Sequence, residues 1–177
     1  MSRYSEIMAA AHHLASLGLA IHWLRGPKGG KLDGRGKAPM HAGWQQGRYL
    51  PPWEAAMGYR IGANLGIHTG RVSSCPFPVV VVDLDGPEAL IWAAAHLPGT
   101  YLVVRSCKGE HWYYRRPDHV PCIPCRARVG GMALDVRADH GNIVAPPSVH
   151  PSGFVYCWRD GPPTAAQLAR LPVYDPA

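Results

Sequence analysis

The sequence predicts an α+β fold with a mostly antiparallel central sheet, and two observations carry the prediction. Val79-Val80-Val81-Val82 is a β-branched run without polar alternation, the pattern of a strand buried on both faces. Around it, short strand-like runs and tight turns are interspersed irregularly with helical stretches. That order belongs to α+β domains rather than to a regular strand–helix repeat.

The elements follow in order. Tyr4 to Leu17 reads as a helix, because Ile7, Ala10, Ala11, Leu14 and Leu17 recur at helical spacing and Gly18 is placed to end it. Leu19 to Leu24 is a short apolar strand. Arg25 to Lys37 packs five glycines and five cations into thirteen residues, a basic loop that is either simply solvated or a phosphate contact. Pro51-Pro52 makes a turn before a short helix near Trp53, and Asn64 to Gly70 is a glycine-bracketed strand edge. The valine strand is followed by a helix over Glu88 to His96. Tyr101 to Arg105 and Trp112 to Arg115 make two strands around a Cys-Lys-Gly turn. Leu134 to Val136, Asn142 to Val144 and Phe154 to Trp158 are further strands, and Thr164 to Ala169 is a last helix.

Composition narrows the function classes. At 177 residues, without linker or repeat, positions 1–177 are read as one domain. Gly 20 and Pro 18 point to a loop-rich fold. No apolar run approaches the ~18 residues of a membrane span, and the first residues lack the layout of a signal peptide. Five scattered cysteines argue against a secreted disulfide scaffold, so the expected location is the cytoplasm. A formal net charge of +6 permits a polyanionic partner without requiring one.

Four segments carry chemistry. Asp83-Leu84-Asp85 follows the valine run, and residues two apart on a strand face the same way. Two carboxylates held together repel unless a cation lies between them, which suits a divalent metal, although Asp85-Gly86 is also ordinary turn chemistry. In Lys108-Gly109-Glu110-His111, the lysine and the histidine can both donate to phosphate oxygen, and a plain surface hairpin fits as well. Asp135 stands between Leu134 and Val136, where it could complete a metal site with Asp83 and Asp85 or bond to a neighbouring loop. Ala145 to Trp158 holds a proline-braced Ser148/His150 pair, suited to ligand positioning or to a structural turn.

Taken in order, six segments form a set: Gly36-Lys37-Ala38-Pro39 with Trp44, Asn64 through Gly70, Val81 through Gly86, Gly109 through Tyr114, Leu134 through Arg137, and Ala145 through Trp158. From about Met8 to Trp158 this set resembles the catalytic domain of bifunctional DNA primase–polymerases, the prim-pol branch of the archaeo-eukaryotic primase superfamily. The resemblance implies a small antiparallel sheet like an RNA-recognition module, joined to an α/β lobe, with the active site between them. It implies Asp83, Asp85 and Asp135 as metal-binding carboxylates for Mg²⁺ or Mn²⁺, and His111 as a contact to the triphosphate. Lys37, Arg105, Lys108 and Arg137 are the candidates for neutralising that triphosphate, and Ser148 and His150 for lining its pocket. Relatives usually carry a small or basic residue where Glu110 stands; strand alternation would turn Glu110 away from His111.

The activity so implied is template-directed nucleotidyl transfer that makes or extends primers. Its partners would be dNTP or NTP, a single-stranded DNA template or primer-template, and a helicase of the kind many relatives carry. A non-catalytic module binding nucleotide or single-stranded nucleic acid, and a metal-dependent nuclease, are the alternatives. His119, Cys122 and Cys125 could also hold a structural zinc with Cys107 or His140 as fourth ligand, against a plain loop with reduced thiols. Among the tryptophans, Trp112 is the one expected near a nucleotide and the others are expected in the core.

Overall fold

The computed structural model describes residues 2–28 and 35–175, so the middle of the basic loop lies outside the described residues. The first helix, α1 (Arg3–Ser16), begins at Ser2, whose side chain accepts from the Ser5 amide, and buries Ile7, Ala11, Leu14 and Ala15. It packs over a three-stranded antiparallel sheet of order β1-β2-β7, made by β1 (Ile21–Leu24), β2 (Asn64–Thr69) and β7 (Gly141–Ala145). Between β1 and β2 comes the short helix α2 (Pro52–Met57), entered through the Pro51-Pro52 turn. The segment read as a strand edge, β2, is the buried centre of this sheet: Ile67 pairs with Ile21 on one side and Ile143 on the other.

A second antiparallel sheet has the order β6-β3-β5-β4-β8. Its strands are β3 (Val79–Asp85), β4 (Val103–Arg105), β5 (Gly109–Arg115), β6 (Leu134–Arg137) and β8 (Cys157–Trp158). All four valines of β3 are at most 1% exposed, as their pattern predicts. Val79 and Val81 join the core shared with α1 and the first sheet. Val80, Val82 and Leu84 join a second core under α3 (Pro87–His96). Each such burial contributes about 1.5–3 kcal/mol. Asp83 and Asp85 continue the Val79–Val81 row, so the valine run that anchors the strand also aims both carboxylates toward the space between the sheets.

The fold departs from expectation at its last strand. Phe154 to Trp158 shortens to β8, because Val149 pairs with Val155 and the His150 amide donates to the Phe154 carbonyl at 2.8 Å. This closes a tight turn at Pro151-Ser152-Gly153. The helix α4 (Ala165–Ala169) follows, with a Thr164/Gln167 capping box.

Two buried polar clusters have no counterpart in the sequence reading. The Arg116 guanidinium and the Asp139 carboxylate form a bidentate pair at 2.8 and 2.9 Å. Asp139 also accepts from the Arg71 and Ile123 amides, at 2.6 and 2.8 Å. Gly70, with φ +73°, lies so close that a Cβ would run into the Asp139 backbone, so only glycine fits. In the second cluster, the His22 and His68 rings stack with centroids 4.0 Å apart and Trp44 lies against both. Burial lowers the pKa of both imidazoles, that of His68 to about 4.

Candidate active site

Register builds the site. Asp83 on β3 lies directly opposite His111 on β5 and directly opposite Asp135 on β6. One row across three strands therefore carries acid, acid and imidazole on the face toward the first sheet. His111 Nε2 is 3.4 Å from Asp83 Oδ1. His111 is 3% exposed; burial, and then the Lys37 and Arg137 charges, push its pKa down to about 3, so it is neutral near pH 7. Burial pushes the Asp83 carboxyl up, and Asp135 adds to this, while Arg137, Lys37 and Lys108 pull it back down.

The row opens into a cleft. One part, about 120 Å³, is lined by Lys37, Asp83, His111, Arg137, Asn142 and Tyr156 among others. The adjoining part shares Lys37, Asp83, His111 and Tyr156 and adds Asp85, Lys108 and His150. A larger groove of about 410 Å³ lies elsewhere, between α1 and the Pro146-Pro147 segment, but its lining is almost wholly apolar. Lysine, arginine, histidine and aspartate converge in the smaller cleft, an arrangement suited to an anionic ligand whose charge is met from several sides.

Most sequence-predicted residues come together there: Lys37, Asp83, Asp85, Lys108, His111, Arg137 and His150 all line the cleft. Asp135 stands beside Asp83 in the row, but its oxygens are engaged by Arg137 Nη2 at 2.7 Å and by the Arg128 amide at 2.9 Å.

Three expected residues are elsewhere. Arg105 pairs with Glu110, which pairs with Leu84, so it lies on the opposite face of the sheet from Asp83. Ser148 is fully buried and exchanges two hydrogen bonds with Leu65, donating to its carbonyl and accepting from its amide. Its hydroxyl fastens the proline segment to β2 and is not free for a ligand. Trp112 packs into the core under α3 and donates to Glu110 at 2.7 Å. Glu110 itself is turned away from His111, as alternation predicts.

Among the described residues, no group of three or more His, Cys, Asp or Glu side chains is gathered to hold a metal ion. His119 and Cys122 are exposed, and Cys125 Sγ accepts from the Ala138 amide at 3.2 Å. The two candidates for a fourth zinc ligand are scattered: Cys107 lies at the cleft and His140 sits near the Gln45 carbonyl. Sequence reasoning missed Asn142 and Tyr156 as lining residues. Tyr156 is 2% exposed with its ring 5.7 Å from that of His111. It belongs to the aromatic segment Phe154 to Trp158, where nothing local in the sequence tells which ring turns inward.

The family model described as bifunctional DNA primase/polymerase, N-terminal, matches residues 10–173. No curated protein matches the chain.

Proposed function

The chain belongs to the Prim-Pol family of bifunctional DNA primase/polymerase N-terminal domains, and from that membership we propose that the cleft binds a nucleoside triphosphate and transfers its nucleotidyl group to a DNA primer end. The observation that carries the proposal is the row of Asp135, Asp83 and His111, facing a cleft that Lys37, Lys108 and Arg137 also reach. The three cations meet the charge of a triphosphate, and neutral His111 lies beside Asp83, where it orients the carboxylate and contacts the phosphate chain. Residues 1–177 act as one catalytic domain on this reading, with a single-stranded template and a helicase as partners.

The donors fit a hard divalent cation. Asp83 and Asp85 share one face of β3, and burial leaves the Asp83 carboxylate in need of positive charge, which Mg²⁺ or Mn²⁺ would provide. Bound there, the ion would supply Lewis-acid neutralisation of the phosphate oxygens and lower the pKa of the attacking 3′-hydroxyl. Asp135 would join the donors only with Arg137 released from it.

The Arg137 clasp on Asp135 favours a second reading, a nucleotide or single-strand binding module without catalysis. Calorimetric titration with a nucleoside triphosphate, with and without Mg²⁺ or Mn²⁺, separates the two. The catalytic reading predicts tighter binding with the ion and loss of that gain in Asp83→Asn. Equal binding with and without either ion would support the binding module.

A further inference from the structure

His150 reaches the cleft from the turn that shortened the last strand, and the hydrogen bonds of that turn determine which imidazole nitrogen carries the proton. The Gly153 amide donates to the His150 carbonyl at 2.8 Å, closing the Pro151-Ser152 turn. Within it, the Ser152 amide donates to His150 Nδ1 at 3.1 Å. A backbone amide can only donate, so Nδ1 must accept and the ring proton must sit on Nε2. Ser152 Oγ lies 2.8 Å from the same Nδ1 and adds a second donor. Cys107 Sγ lies 3.3 Å from that Oγ, which ties the β4–β5 turn to this one across the mouth of the cleft.

We propose that Ser152 is a positioning residue: with Oγ and its amide it holds His150 as the Nε2–H tautomer, so that His150 offers an N–H donor to a phosphate oxygen bound beside Lys37 and Lys108. The other neutral tautomer would present an unprotonated nitrogen and repel the anion. Burial first, and then the Lys37 and Lys108 charges, lower the His150 pKa, with Asp85 opposing them. From the sequence, Ser148 and His150 are expected to line the pocket as a pair. The structure gives Ser148 to the backbone of β2 and puts Ser152 in its place beside His150. The ligand class, a polyphosphate, rests on the nucleotide reading above; the tautomer does not.

The test uses the full chain with ¹⁵N-labelled histidine. Two-bond ¹H–¹⁵N spectra near pH 7.5 report the tautomer, His150 being assigned by its loss in His150→Gln. Titration with inorganic tripolyphosphate reports the anion site. Wild type should show His150 as Nε2–H. Ser152→Ala keeps the amide donor but loses the hydroxyl, so a detectable Nδ1–H fraction should appear and tripolyphosphate should bind up to about threefold more weakly, and Ser152→Thr, which keeps the hydroxyl, should restore both. His150→Ala should lose about tenfold or more, while His150→Gln, which keeps an N–H donor, loses less. An Nδ1–H tautomer in wild type overturns the proposal even if tripolyphosphate binds. An unchanged tautomer and affinity in Ser152→Ala overturns the role of the hydroxyl. The Nε2–H tautomer in a protein that binds neither tripolyphosphate nor nucleotide overturns the nucleotide reading of the cleft and the ligand named here.

Discussion

Removing the Asp139 carboxylate should strongly destabilise the fold although it lies outside the cleft. Asp139 accepts four hydrogen bonds, two from Arg116 and one each from the Arg71 and Ile123 amides. Arg116 is 2% exposed and also donates to the Pro117 and Val120 carbonyls. Asp139→Ala leaves that guanidinium buried without its counter-charge, which costs about 3–5 kcal/mol. The stranded amides belong to the same network and do not add in full. Against a typical stability of about 5–15 kcal/mol this is a large fraction, and it corresponds to roughly 6–20 °C in Tm for a chain of this size. Replacing both partners, as Arg116→Met with Asp139→Leu, should recover much of the loss, because no charge is then left unpaired. Urea and thermal unfolding of wild type, both single variants and the double variant measure this. A loss below about 1 kcal/mol in Asp139→Ala would refute the reasoning, because a buried guanidinium cannot lose its partner so cheaply.

Three further outcomes follow. The His22 and His68 imidazoles take up a proton near pH 6.5 when unfolded, but His68 does so only near pH 4 when folded and His22 well below 6.5. Their contribution is therefore intact above pH 6.5 and lost as pH falls below it, by up to ~1.4 kcal/mol per pH unit for each ring; stability curves from pH 7 to 4 should show the slope, and His68→Phe should flatten part of it. Lys37→Ala should raise the KM for nucleotide about tenfold or more, whereas Arg105→Ala, on the opposite face of the sheet, should leave it within twofold; equal effects in steady-state assays would contradict the register. Burial raises the Asp83 pKa, so folding makes its ionisation less favourable than in the unfolded chain, and Asp83→Asn should keep or raise Tm while abolishing incorporation; a lower Tm would point to a structural role.

The fold was legible where local chemistry decides it. The valine run, the apolar stripe of α1 and the Gly86-Pro87 entry to α3 specify their elements through burial and backbone preference alone. Asp83 and Asp85 were legible for the same reason, because a two-residue spacing on a strand fixes a shared face. Which residues sit opposite them was not, since pairing joins positions far apart in sequence. Arg105 and Trp112 looked suitable by type, yet the β4–β5 register turns them to the far face. Ser148 was misjudged because its hydroxyl answers the backbone of β2, eighty-three positions away. The Arg116/Asp139 pair and Asn142 left no motif, because each depends on a partner the chain supplies only on folding.

Whether the cleft transfers nucleotidyl groups is decided by following product length on primed and unprimed single-stranded templates, with Mg²⁺ or Mn²⁺, for wild type and for Asp83→Asn/Asp85→Asn. Products that lengthen only with added nucleotides and only with wild type are the predicted result, and products on the unprimed template would add primer synthesis. A folded wild-type protein that binds nucleotide yet yields no lengthened product and no pyrophosphate with either metal would contradict a catalytic cleft and leave a binding module.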